Sequence, residues 1–163
     1  MASFDIVSKI DLQKIDNAVN VAKKELVNRY DLKDEQCDFV LDKKNNTIKL
    51  EAKQNMAIES MEGILLSKFS KQGLDVRSLD LTKDITPSGK LVYKELRIKE
   101  GLEKETAKKI VSFLKDTKLK IQSSIMDDQI RVTSKSIDEL QETMSKLRGE
   151  DFELPLQFDN MRS

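Results

Sequence analysis

A loose internal duplication restricts the fold more than any other feature of the chain. Thr47-Ile48-Lys49-Leu50, followed by Lys53, Ile58 and Leu65, recurs 82 positions later as Gln129-Ile130-Arg131-Val132, followed by Lys135, Leu140 and Leu147. In each copy a stretch of period-two alternation gives way to apolar residues at helical spacing, the pattern of a strand running into an amphipathic helix. Matching order and spacing point to two units of one architecture. The 163 residues suffice for one medium domain or two small ones.

The rest of the chain fills in both units. Phe4-Asp5-Ile6-Val7 is a short strand, and Asp11 is a suitable N-cap for a helix whose apolar side is Ile15, Val19, Ala22 and Leu26. Cys37 to Leu41 alternates, with Cys37, Phe39 and Leu41 inward, and Asn45-Asn46 supplies a turn before the strand Thr47 to Ala52. Asn55 is read as the cap of a second helix carrying Ile58, Met61, Leu65 and Phe69, with Gly73 just past its end and a weak strand from Leu74 to Leu81. The pattern lapses from Thr82 to Lys90. It resumes at Leu91 to Lys99, where Val92, Leu96 and Ile98 oppose Tyr93, Glu95, Arg97 and Lys99. A helix follows with Ala107, Ile110, Val111 and Leu114, then a hairpin over Lys118 to Lys135 that turns at Met126-Asp127-Asp128. Ser136 and Glu139 make an S-x-x-E capping box for a helix of Ile137, Leu140, Met144 and Leu147, stopped by Gly149, and a last strand, Leu154 to Asn160, buries Leu156 and Phe158.

Both halves therefore read β-α-β-β-α-β. The expected class is α+β: two tandem ferredoxin-like (βαββαβ, RNP-like) domains, each an antiparallel sheet with its helices on one face. The expected boundaries are 1–82 for the first domain, 83–90 for a linker and 91–163 for the second, with two separate four-stranded sheets. Exchange of terminal strands between the domains is the alternative arrangement.

Composition removes several function classes. The 29 basic and 29 acidic residues leave no global field to attract nucleic acid or membrane. No segment approaches the roughly 20 apolar residues of a membrane span, and the opening MASFDIVSKIDL lacks the apolar core of a signal peptide. A lone cysteine, Cys37, cannot form an internal disulfide and is read as a small core residue; the expected location is the cytoplasm. The absence of histidine removes Ser-His-Asp and Cys-His catalysis and, with one cysteine, the usual zinc sites. The glycines form neither a P-loop nor a dinucleotide fingerprint. No catalytic residue, metal or cofactor is assigned, and the chain is expected not to be an enzyme.

What remains is a charged sheet face. In the Lys118–Lys135 hairpin, Leu119, Ile121 and Ser123 alternate with Lys118, Lys120 and Gln122, and Ile130 and Val132 alternate with Arg131 and Thr133. Residues 83–135 hold 13 Lys/Arg against 8 Asp/Glu, whereas 136–163 hold 3 against 7, so the basic excess sits on one side of the second half. The candidate anion-binding residues are Lys118, Lys120, Gln122, Arg131, Thr133 and Lys135, joined on the same face by Tyr93 and Arg97. Arg131 and Lys120 are expected to be neighbours across the hairpin, solvated enough that Arg131→Ala leaves folding nearly unchanged. The competing reading is an ordinary solvated face. Sequence-specific RNA reading lacks the stacking aromatics that it usually needs, because Phe4, Phe39, Phe113 and Phe158 all fall on inward faces.

These residues also carry a family resemblance. Ser3-Phe4-Asp5-Ile6-Val7-Ser8, Lys118-Leu119-Lys120-Ile121-Gln122, Ile130-Arg131-Val132-Thr133 with Lys135, Asp138 with Leu140-Gln141, and Gln157-Phe158 with Arg162 resemble the YajQ family of bacterial proteins over the whole chain. The resemblance implies a cytosolic, non-enzymatic nucleotide-binding protein of two ferredoxin-like domains. The ligands it implies are purine nucleotides (GTP, ATP or, in some members, cyclic di-GMP) and RNA or tRNA. It further implies, for the cyclic di-GMP effectors, a protein partner such as a transcriptional regulator. A protein–protein interaction module without a nucleotide is the reading from another class. The sequence departs from the family pattern at Asp127-Asp128, where a glycine-containing turn is usual, and at Ser134, where glycine is common.

Overall fold

The computed structural model describes residues 1–163, and they divide into two compact units. One consists of Met1–Lys9 with Glu100–Ser163, the other of Ile10–Lys99. We call them the terminal and the inserted unit. Each is the α+β, antiparallel, two-helix arrangement that the alternating and helical periodicities predict. The division itself lies elsewhere than at 83–90.

The terminal unit contains β1 (Ala2–Val7) and the inserted unit starts with α1 (Leu12–Asn28), β2 (Asp38–Asp42), β3 (Thr47–Ala52) and α2 (Asn55–Lys71). After a 3-10 turn the inserted unit continues with a two-residue β4 (Leu79–Asp80), β5 (Thr86–Ser88) and β6 (Leu91–Ile98). The terminal unit then resumes with α3 (Lys104–Asp116), β7 (Gln122–Met126), β8 (Gln129–Ser134), α4 (Ile137–Arg148) and β9 (Gln157–Arg162).

The sheet of the terminal unit has the order β7-β8-β1-β9, and that of the inserted unit the order β2-β3-β6-β4 with β5 hairpinned onto β6. Each sheet thus has a ferredoxin-like layout, but the strand beside β8 is β1 and the strand beside β3 is β6. The contiguous domains 1–82 and 91–163 would have placed them the other way round. The two strands have changed places, and residues 83–90, expected as a linker, include β5 and its turn. The reason is physical: period two decides which face a side chain takes, and leaves open which sheet the strand joins.

Cross-strand chemistry fits the observed pairing. Asp5 lies opposite Arg131, and Glu95 opposite Lys49. On the helix side of β6, Lys94 extends to Glu62 of α2 at 2.9 Å, with side chains 12% and 18% exposed. Each unit has its own core. Phe39, Ile48, Leu50, Ile58, Met61, Leu65, Phe69 and Leu96 are sealed in the inserted unit, and Phe4, Ile6, Ile110, Ile130, Val132 and Leu140 in the terminal one.

The helix ends show how local sequence sets the frame. Asp11 caps α1 by accepting from the backbone N–H groups of Gln13 and Lys14. At α2 the N-cap is Gln54 rather than Asn55, and it makes no side-chain capping bond. The other end of α2 closes in a Schellman motif: Gly73 has a φ of +76°, Leu74 N–H donates to Phe69 C=O and Gly73 N–H to Ser70 C=O. Cys37 is half-buried, and desolvation pushes its thiol upward, away from the reactive thiolate form.

Candidate functional site

The hairpin β7–β8 begins later than its alternation suggests. Lys118 leaves α3 in a left-handed conformation (φ +57°), so residues 118–121 form a turn and the strand starts at Gln122. Register places Gln122 opposite Thr133 and Ser124 opposite Arg131. Lys120 therefore lies beyond the strand and not across from Arg131, and Lys118 does not belong to the sheet face.

Where β8 hands over to α4, a cavity of about 510 Å³ opens, lined by Lys120, Ile121, Gln122, Thr133, Ser134, Lys135, Ser136 and Glu139 with Met1. All of these belong to the terminal unit. Its wall is tied together by one hydroxyl: Ser134 Oγ donates to the carbonyl of Lys120 at 2.8 Å and accepts from Ser136 N–H at 3.1 Å. A glycine at position 134 could make neither bond. Ser136 in turn caps α4 by accepting from Glu139 N–H at 3.4 Å. Lys120 and Lys135 are exposed at this site, and neither forms an ion pair with a carboxylate.

The eight sequence candidates thus separate. Lys120, Gln122, Thr133 and Lys135 surround the cavity. Arg131 shares Thr133's face two residues further along β8, but its guanidinium is held. Nε donates to Asp5 Oδ1 at 2.9 Å and Nη2 to Asp5 Oδ2 at 3.3 Å, while Asn160 Nδ2 donates to Oδ2 at 2.9 Å. Arg131 is thus not the loosely solvated side chain that alternation implies. Asp5 is 1% exposed, and the Arg131 hydrogen bonds hold its carboxyl below the ordinary aspartate range against the opposing effect of burial. Tyr93 and Arg97 belong to the inserted unit's sheet and leave the group altogether. There the Tyr93 ring lies 4.9 Å from Lys49 Nζ, and Arg97 lies 3.9 Å from Asp80.

The lining residues absent from the sequence candidates are Ile121, Ser134, Ser136, Glu139 and Met1. The S-x-x-E signature locates Ser136 and Glu139 at the start of α4, yet it describes them as a helix cap and says nothing of a cavity. Elsewhere no group of three or more His, Cys, Asp or Glu side chains converges as a metal site would require. No helix is long and apolar enough to cross a membrane. The inserted unit's open face neutralises itself, with Lys49 on Glu51 at 2.9 Å and Lys83 on Glu95 at 3.5 Å.

Fold and site together define a class: a two-unit, ferredoxin-like α+β protein with a lysine-flanked cavity on one unit. The family described as "Nucleotide-binding protein YajQ-like" matches residues 2–162. A nucleotide-binding protein of Cytophaga hutchinsonii is 45% identical over 162 residues, covering 99% of this chain and 100% of its own. One of Bdellovibrio bacteriovorus is 45% identical over 163 residues, with both chains covered completely. One of Chloroherpeton thalassium is 44% identical over 160 residues, covering 98% of this chain and 97% of its own. The chain belongs to the YajQ family.

Proposed function

We propose that the chain is a non-enzymatic, cytoplasmic nucleotide-binding protein whose ligand occupies the cavity at the junction of β8 and α4. The observation that carries this reading is the meeting of two unpaired lysines, Lys120 and Lys135, with the neutral hydrogen-bonding side chains of Gln122 and Thr133 around one cavity. Lysine ammonium groups are compact charges suited to phosphate oxygens, and amide and hydroxyl groups satisfy the sugar or base. The volume falls within the roughly 300–1,000 Å³ usual for small-molecule sites. Relatives of nearly equal length bear the name nucleotide-binding protein, which supports the same reading. Arg131 is not among the residues that line the cavity, and its guanidinium is engaged by Asp5.

A cyclic di-GMP-responsive regulator working through a protein partner, such as a transcriptional regulator, is the finer form of this proposal, and RNA or tRNA is the competing ligand. Isothermal titration with GTP, ATP, cyclic di-GMP and tRNA separates them. Lys120→Ala and Lys135→Ala should each weaken nucleotide binding roughly tenfold, with unfolding midpoints essentially unchanged and a shallower salt dependence than the native protein. Native affinity in both variants would remove the ligand from this cavity. Tight tRNA binding without free-nucleotide binding would favour the RNA reading instead.

A further inference from the structure

Every free sheet edge in the molecule is blunted except one. The edge strand β2 carries Asp38 and Asp42 at its two ends, β4 is only two residues long, and β5 contains Pro87. At β9 the pairing with β1 shifts register between Ser3 and Asp5, Asn160 is left-handed (φ +53°), and Asp159 and Arg162 add charge. Short length, charge, proline and irregular register are the devices by which sheets refuse a further strand. β7 has none of them: Gln122–Met126 holds no charge, proline or glycine and runs in unbroken register beside β8. Gln122, Ser124, Ile125 and Met126 are exposed, the last two at 47% and 39%. In an antiparallel pair alternate residues turn their N–H and C=O groups away from the neighbouring strand, and along β7 these outward groups find no partner within the chain.

The charges that flank this strand define what fits beside it. Lys118 and Lys120 precede β7, and Asp127 and Asp128 follow it; all four are exposed and none forms an ion pair. An antiparallel neighbour of the same sequence sets the basic end of each copy against the acidic end of the other, so the complementarity is satisfied twice. A parallel neighbour of the same sequence would set like charge against like. A two-fold axis at Ser124 overlaps all five residues and brings Lys120 to the end where Asp128 of the second copy lies. Ser123 then faces Ile125 of the second copy, a small side chain opposite a large one, and Gln122 faces Met126. The facing positions are always an even number of residues apart, so outward-turned backbone groups meet outward-turned groups throughout.

We propose that β7 is a self-association edge: two copies of this chain pair β7 antiparallel about a two-fold axis at Ser124, joining two four-stranded sheets into one continuous sheet. The inference is independent of the nucleotide reading. A pair of five-residue strands is a small interface, so the dimer should assemble between about 10 µM and about 1 mM rather than at nanomolar concentration. Sedimentation equilibrium of the full chain over that range should show the average mass rising from one chain toward two. Ser124 is exposed and faces its own copy across the axis, so Ser124→Glu and Ser124→Lys each set like charges together and should weaken self-association about tenfold or more. Mixed in equal amounts, the two variants should associate with each other at least as tightly as the native chain does with itself. Met161→Glu, on the opposite edge strand β9, should leave self-association unchanged.

A native chain that stays monomeric up to about 1 mM would overturn the proposal and leave the edge to a different partner. Native-like association of Ser124→Glu would overturn it too, as would a mixture of the two charged variants that fails to associate. If either charged variant does not fold, Ser124→Cys in a Cys37→Ser background decides the matter. Directly opposite Cα atoms of antiparallel strands lie about 4.5–5.5 Å apart, within disulfide reach, so oxidised glutathione should convert this variant into a covalent dimer. Met161→Cys in the same background should remain a single chain. Equal cross-linking of the two, or none in either, would refute a two-fold at Ser124.

Discussion

Replacing Asp5 by Asn removes one charge from the terminal unit's sheet and almost no volume. The native carboxylate is 1% exposed and takes three hydrogen bonds, at 2.9 and 3.3 Å from Arg131 and 2.9 Å from Asn160. A hydrogen bond to a charged partner contributes about 1.5–3 kcal/mol, against about 1 kcal/mol for a neutral one, so the charge strengthens each good bond by up to roughly a factor of two. Two effects reduce the sum. The Arg131 side chain is 40% exposed, so water competes for it, and burial of the carboxylate opposes ionisation. The net expectation for Asp5→Asn is a loss of about 1–2 kcal/mol at pH 7. The sign of the pH dependence follows from the direction of the shift. Asp5 is held below its ordinary value, so its stabilisation is complete above the unfolded pKa of about 3.9 and disappears as pH falls through the lower folded value. The gap between native and variant must therefore close in acid. Because two units need not melt together, urea unfolding should be followed through NMR signals of β1 and β8 at neutral pH and in acid. A gap below about 0.5 kcal/mol at pH 7, or one that persists unchanged well below pH 4, would refute this account of the pair.

Three further outcomes are expected. Gly101 has a φ of +76°, and a Cβ there would sit 2.6 Å from Asp128 Oδ2 and 2.9 Å from Asp128 Cβ, so Gly101→Ala should cost about 2–3 kcal/mol by chemical denaturation. Adding Asp128→Gly should return the steric part of that loss and leave the backbone part. Lys94→Ala orphans the largely buried Glu62 and should cost about 2–3 kcal/mol, with much of it regained in Lys94→Ala/Glu62→Leu; no recovery in the double variant would show that the pair is not the cause. Deleting residues 1–9 withdraws the strand between β8 and β9, so amide protection should collapse in the terminal unit and survive in residues 10–99.

Much of the fold is legible in single residues. Asp11 announces α1, Ser136 announces α4, Gly73 ends α2, and the alternation of Thr47–Ala52 and Gln129–Ser134 gives both the strands and their buried faces. The exchange of β1 and β6 is not legible in this way, because alternation carries no address. The nearest signals are charges that need partners: Asp5 on the face opposite Phe4 and Ile6, and Lys94 facing inward among Val92, Leu96 and Ile98. For want of that address the sequence pattern groups Tyr93 and Arg97 with the hairpin, although β6 pairs with β3. Alternation predicts a strand at Lys118 because the pattern looks the same whether or not the backbone turns left-handed at its first residue. Glu139 shows the remaining limit: its signature is satisfied by a helix cap, and only the bond from Ser136 to Ser134 reveals that the carboxylate is left over.

The exchanged strands also impose an order on synthesis. β1 is made before the whole inserted unit, yet its partners β8 and β9 lie between residues 129 and 162. Residues 10–99 contain every strand and helix of the inserted unit, so that unit can close its sheet on the nascent chain while β1 still waits. Throughout that interval Phe4 and Ile6, sealed in the finished protein, have no core to enter. The terminal unit is therefore committed to late, long-range closure, the slowest kind of β pairing, and its opening strand is the segment that a chaperone would find unpaired.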